Sequence, residues 1–181
     1  MCHTILTTHR PDFFEGSPAD LAWYPPDTDE KGAKLGEWFK SAAPALHLPK
    51  IPSIVKSANE YNENIRTWGI IGYCWGGKMA SLLAGKATAF KAAVQTSPAL
   101  VDPGDAEKVQ IPMMMLASMD EPKEDMAKYD AALTVDKHVE TFEDQVHGFM
   151  SARGDLNDSK GKAEYERGYQ LALEWFHKHL V

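Results

Sequence analysis

The chain has 181 residues, 44% hydrophobic and 25% charged, ordinary values for one globular domain with room for a packed core. A net charge of −7 and no run of Lys and Arg exclude the basic footprint that nucleic-acid binding requires. No apolar stretch is long enough to span a bilayer, no signal-like segment opens the chain, and Cys2 and Cys74 make no disulfide framework, so a cytoplasmic setting is expected.

In chain order, a short strand is expected at residues 4–8. Residues 16–29 are rich in Pro and Asp and read as a loop, in which Trp23 and Tyr24 either roof a pocket or anchor the loop to the core. Residues 30–39 read as a helix with Leu35, Trp38 and Phe39 on one side. Pro52 opens the next helix, which should turn Ile54, Val55, Ala58 and Tyr61 inward. Residues 67–71, Thr-Trp-Gly-Ile-Ile, have the short apolar character of a buried strand.

The most informative segment follows. Gly72-Tyr73-Cys74-Trp75-Gly76-Gly77 precedes Met79, Ala80, Leu82 and Leu83 at helical spacing, which makes it a sharp strand-to-helix turn with a cysteine at its apex. Glycines at 72 and 76 are expected where two backbones approach too closely for a β-carbon. The helix start supplies positive potential that favours a thiolate and a developing oxyanion. Neither glycine spacing nor Lys78-Met79 fits a phosphate loop or a dinucleotide fingerprint. An inert core cysteine is the plainer alternative.

Residues 90–95 read as a strand broken by Thr96-Ser97-Pro98, and residues 105–108 as a turn of helix. Residues 111–118 form a buried strand in which Met113, Met114 and Met115 serve as core packing. It ends at Met119-Asp120-Glu121-Pro122, ahead of a helix over 122–133. Residues 138–142 alternate as a strand and lead to Val146-His147-Gly148-Phe149. A final helix over 159–179 should cover the sheet with Tyr165, Tyr169, Ala172, Leu173, Phe176 and Leu180. Strands alternating with helices throughout indicate a parallel α/β sheet in one domain spanning residues 1–181.

A nucleophilic thiol needs a base, and the base needs an orienting group. Cys74, Asp120 and His147 occur in the order nucleophile, acid, histidine, each just past a strand end. Glu121 is the competing acid, but Asp120 lies nearer the strand; an acidic residue here also suits a helix's first turn. His177 and His179, two apart on a helix, cannot share an ion, and no metal site is expected.

The elbow, the Asp120 strand end and the Val-His-Gly-Phe loop resemble the dienelactone hydrolase family. Pro11-Asp12-Phe13-Phe14-Glu15-Gly16 and Tyr24-Pro25-Pro26-Asp27 are similar to its fungal branch, and the likeness runs from about Pro11 to the C-terminus. The resemblance implies an α/β-hydrolase-like three-layer sandwich with a parallel sheet. It implies Cys74 as nucleophile, His147 as base, Asp120 as its orienting carboxylate and the Trp75 N–H as oxyanion donor. Hydrolysis of an activated ester or enol-lactone, without cofactor or metal, follows from it. Tyr73, Arg153 and Trp23 are candidate substrate contacts. Arg153 would grip an anionic group in bidentate fashion, or else be a solvated arginine beside Asp155.

The chain departs from the family at its start. Ten residues precede Pro11, where the family's opening strands and helix need roughly 40. The expected sheet therefore lacks the first strands of the family fold and the loop that supplies a second oxyanion N–H. Its unpaired edge would favour a homodimer. Two other readings stay open: a truncated pseudoenzyme or small-molecule binding protein, and a lactone-forming or isomerising enzyme. The partner in each case is a small ester or lactone, with neither nucleic acid nor membrane involved.

Overall fold

A computed structural model describes residues 6–23 and 26–181, in two compact units that divide after Ile65. The first unit holds a 3-10 turn at Leu21–Trp23, then α1 (Asp29–Ser41), α2 (Pro44–His47), a second 3-10 turn at Leu48–Lys50 and α3 (Ile51–Tyr61). Residues 6–8 carry no strand, and the rest of the strand expected there lies outside the described residues, as does Tyr24. Thr28 caps α1 by accepting the Lys31 N–H at 3.3 Å, with Asp29 and Glu30 suiting the positive end of the helix.

The Pro-Asp-Phe-Phe-Glu-Gly segment is a turn built by Asp12. Its carboxylate accepts the N–H groups of Phe14 at 3.1 Å and Gly16 at 2.9 Å. The turn carries Phe14 onto Trp38 (ring centroids 4.7 Å apart) and His47 (5.5 Å). Trp38 is fixed in turn by donating Nε1–H to Ser17 O at 3.1 Å. In α3, Ile51 and Ala58 are buried, but Tyr61 is 88% exposed and not inward as its spacing suggested. It stands about 80° around the helix from Ile51 at 3.6 residues per turn.

The second unit, Arg66–Val181, is a parallel sheet with helices on both faces. Its elements are β1 (Trp68–Tyr73), α4 (Trp75–Leu83), β2 (Phe90–Thr96), α5 (Pro103–Ala106), β3 (Met113–Ser118), α6 (Lys123–Ala132), β4 (Lys137–Phe142) and α7 (Ser159–Leu180). The strands lie in the order β1-β2-β3-β4. Stepping always in one direction through right-handed crossovers puts the connecting helices on one face. There Ala93, Met113, Met115 and Ala117 pack against Ala84, Ala106, Met126 and Tyr129. The alternate residues Ala92, Val94, Met114 and Leu116 face the other way, onto Ala172 and Trp175 of α7. Met113, Met114 and Met115 are all buried, as core packing requires.

The buried stripe of α7 is Gly168, Ala172 and Trp175. Phe176 and Leu180 join it as expected, whereas Tyr169 and Leu173 lie at its margin, 36% and 42% exposed. Gly168 is what shifts the stripe: a β-carbon there would lie 2.5 Å from Met150 Sδ. Met150 and Phe149, both buried, fill this face beneath the loop that follows β4.

Candidate active site

Because the four strands run in parallel, their C-terminal ends share one rim. Cys74 stands on it between β1 and α4 with φ 52° and ψ −113°, a conformation that side-chain-bearing residues seldom adopt and that costs about 1–3 kcal/mol. Backbone hydrogen bonds hold it there. Its N–H donates to Thr96 O at 3.1 Å, and its carbonyl accepts from Gly77 at 2.9 Å and Ala99 at 3.1 Å. A β-carbon on Gly72 would lie 1.8 Å from the Gly76 carbonyl oxygen, so only glycine permits the elbow to close. Gly76 itself has open space where a β-carbon would go, contrary to expectation. Gly77 is the second tight position, its β-carbon site 3.2 Å from Pro98 Cα. Trp75 opens α4 immediately after the cysteine.

His147 comes from the loop after β4. Turns closed by Phe149 N–H to Val146 O (3.0 Å) and Ser151 N–H to Gly148 O (2.9 Å) shape this loop, and Gly148 takes a left-handed φ of 83°. Phe149 and Met150, sunk in the core, anchor it. The imidazole is hydrogen-bonded to Cys74 on one side and to Glu121 on the other. Nδ1 lies 2.7 Å from Glu121 Oε1, leaving Nε2 for the sulfur.

The carboxylate on the imidazole is therefore that of Glu121, not Asp120. Asp120 Oδ2 instead accepts the backbone N–H of His147 at 2.7 Å. The reason is side-chain length. Glu121 is 5% exposed and turns back under the end of β3, where it also accepts from the Ser118 N–H and, at 3.1 Å, from the Ser118 hydroxyl. Asp120, on the exposed side of the same turn, reaches only the backbone. The hydrogen bond to Cys74, then that to Glu121, lifts His147 from its ordinary value to about 10, against the opposing effect of burial.

The remaining candidates have other partners. Arg153 Nη1–H donates to the His147 carbonyl at 3.3 Å. Tyr73 points to the α7 face of the sheet, where its hydroxyl donates to Tyr169 Oη at 3.0 Å and that hydroxyl donates to Met150 O at 2.9 Å. Trp23 ends a 3-10 turn in the first unit. Two exposed apolar residues neighbour, along the chain, residues that bond the Cys74–His147 pair, with no signal in the sequence to single them out. They are Leu100, one residue beyond the Ala99 that bonds Cys74, and Met119, one before Asp120.

A parallel sheet flanked by helices, with a strained strand-to-helix cysteine at its C-terminal rim, has the architecture of the α/β-hydrolase fold. A solved structure titled a putative dienelactone hydrolase from Klebsiella pneumoniae superposes with a TM-score of 0.65 at 20% identity, covering 75% of this chain and 62% of that one. The model of the dienelactone hydrolase family matches residues 10–180, and the chain belongs to that family. It is 31% identical to an uncharacterized AIM2 family protein of Schizosaccharomyces pombe, over 94% of this chain and 71% of the relative. It is 27% identical to a carboxymethylenebutenolidase homolog of Xenopus tropicalis, over 97% of this chain and 74% of that protein. No helix among the described residues is long and apolar enough to cross a membrane.

Proposed function

We propose that the protein hydrolyses an activated ester or enol-lactone through a Cys74–His147–Glu121 triad. The observation that carries this reading is the imidazole of His147 bonded at once to the elbow cysteine and to a buried carboxylate. The Cys74 thiolate, paired with the imidazolium, attacks the carbonyl carbon, and the Trp75 N–H at the start of α4 stabilises the tetrahedral oxyanion. As the intermediate collapses, His147 gives its proton to the departing enolate or alkoxide, leaving a thioester on Cys74. The neutral imidazole then takes a proton from water, which attacks the thioester and releases the acid and the thiolate. A stable leaving group such as an enolate suits sulfur, since thiolate addition to a poor-leaving ester reverts. Asp120 acts at the backbone of the base and not on its ring.

The rim supports an uncharged acyl or alkyl group. Arg153 is engaged with the His147 carbonyl, and Asp120 adds negative charge nearby. Leu100 and Met119, 64% and 45% exposed, offer apolar surface. The test is a neutral p-nitrophenyl ester with the Cys74 peptide followed by mass spectrometry. A burst of nitrophenol, an acyl group on Cys74 and loss of turnover in Cys74→Ala are expected. Undiminished turnover in Cys74→Ala would refute the proposal, and acylation that never turns over would favour a binding protein.

A further inference from the structure

Ser97 lies in a short segment, Thr96 to Ala99, that bonds the backbone of the nucleophile at both ends and the backbone beside the base through the serine hydroxyl. It follows β2 and is 1% exposed. Its Oγ accepts the N–H of Gly148, the residue after His147, at 3.0 Å. Its own N–H donates to Leu116 O of β3 at 2.8 Å. Two residues on, the Ala99 N–H donates to the Cys74 carbonyl at 3.1 Å. Between them Pro98 fixes one torsion through its ring and packs on Gly77 of α4. A three-residue spacer, stiffened by proline and anchored to β3, thus spans from the carbonyl of Cys74 to the amide beside His147.

The backbone of Ser97 is unusual on two counts. Its φ is 38°, in the left-handed region that residues with side chains seldom enter. It also precedes a proline, a position biased toward extended backbone. A conformation opposed by both rules is held by the bonds around it, and its effect is to aim Oγ across the rim at Gly148. Asp120 and Glu121 instead hold the N–H and the Nδ1 of the histidine itself.

We infer that Ser97 is a positioning residue for the hydrolysis proposed above, setting the approach of the His147 imidazole to Cys74 by gauging the distance between their backbones. This inference rests on that reading for its catalytic consequence, but the gauge itself can be read without turnover.

The experiment compares Ser97→Ala and Ser97→Gly with the wild-type chain. Both variants remove the acceptor for Gly148, while glycine also relieves the backbone at position 97 and so keeps the fold. Measured are kcat and KM on a neutral p-nitrophenyl ester, the NMR titration of the His147 ring, and Tm. A misplacement of about 1 Å is enough to cost about 10²-fold, so both variants should lose on the order of 10–100-fold in kcat with little change in KM. The His147 titration should move down toward the ordinary imidazole range as its contact with Cys74 loosens, in Ser97→Gly as well, whatever its Tm. A Ser97→Gly chain with wild-type kcat and wild-type His147 titration overturns the inference, as does a loss of Tm alone in both variants. If Cys74→Ala remains active, the hydrolase reading fails separately, and the His147 titration still decides the role of Ser97.

Discussion

Glu121 Oε1 lies 2.7 Å from His147 Nδ1, and the same glutamate is gripped by Ser118 at the end of β3. The acid is therefore held by its own strand before it meets the base, so the imidazole is oriented by a group with little freedom to turn. Asp120 ties the backbone of the same histidine from the next position along the turn. Two adjacent carboxylates fix one residue at two points.

Their roles separate on substitution. Glu121→Gln keeps the volume but removes the charge opposite the imidazolium, and should lower kcat on the order of 10²–10⁴-fold. Asp120→Asn retains a side-chain oxygen for the His147 N–H and should stay within about tenfold of wild type, the effect of roughly 1 kcal/mol at a hydrogen bond. Steady-state kinetics on one neutral ester decide it. If Asp120→Asn proves the more damaging, the ring is oriented by aspartate in solution.

The pH profile follows from the same contacts. His147 is raised to about 10 by Cys74 and Glu121, so the imidazolium that donates to the leaving group persists well above its usual range. kcat/KM should stay high through neutral pH and fall only toward about 10, and Glu121→Gln should bring that alkaline fall to lower pH. The sign for stability is the same. Protonation is favoured in the folded state, so the contribution is full below the unfolded value near 6.5 and disappears as pH rises toward about 10. Thermal unfolding of wild type and His147→Ala across that window should show the difference between them shrinking with pH.

Much of this site is legible in the sequence because strand ends are legible. The apolar runs of β1 and β3 and the alternation of β4 are enough to place Cys74, the Asp120-Glu121 pair and His147 at one rim. Which carboxylate reaches the imidazole is not legible. Both lie in the same turn, and the choice depends on side-chain length and on the bond Glu121 makes back to Ser118. Ser97 carries no local signal either, since it reads simply as a strand breaker before a proline. The centre of the α7 face is less legible because periodicity favours large side chains, whereas here Gly168 marks the centre of contact by yielding space to Met150.

The elbow glycines make a paired test. A methyl at position 72 would collide with the Gly76 carbonyl 1.8 Å away, a backbone atom that cannot yield without unwinding the start of α4. Gly72→Ala should destabilise the fold by about 3 kcal/mol or more and abolish Cys74 acylation. Gly76→Ala meets no atom within 4 Å beyond its own helix and chain neighbours, so it should be neutral or stabilise by up to about 1 kcal/mol. Chemical denaturation separates the two. Equal tolerance of both would mean that the turn closes differently.

Substrate charge tests the rim. A neutral ester should be hydrolysed with higher kcat/KM than the same ester bearing a carboxylate on its acyl chain, because Arg153 turns one N–H to the His147 carbonyl and Asp120 adds negative charge beside the base. Replacing Leu100 and Met119 together by serine should raise KM for the neutral ester about 5–30-fold, the factor for roughly 1–2 kcal/mol of lost apolar burial. A preference for the anionic ester would reassign Arg153 to the substrate.

The ion pair between Lys78 and Asp105 joins α4 to α5 at 2.5 Å with both side chains largely buried. Lys78 Nζ also donates to Leu100 O at 3.1 Å, so the same ammonium steadies the loop that runs from Ser97 past the nucleophile. Lys78→Met keeps the packing of the stem but strands the Asp105 charge, which should cost about 3–5 kcal/mol. Removing both charges in Lys78→Met with Asp105→Leu should recover most of that loss, since two apolar side chains need no compensation. The double variant should still turn over more slowly than wild type, because the Leu100 carbonyl has lost its donor. Urea unfolding of the three variants beside their kcat values checks this. A single Lys78→Met change costing under 1 kcal/mol would show that water reaches Asp105 and that the pair contributes little to the elbow.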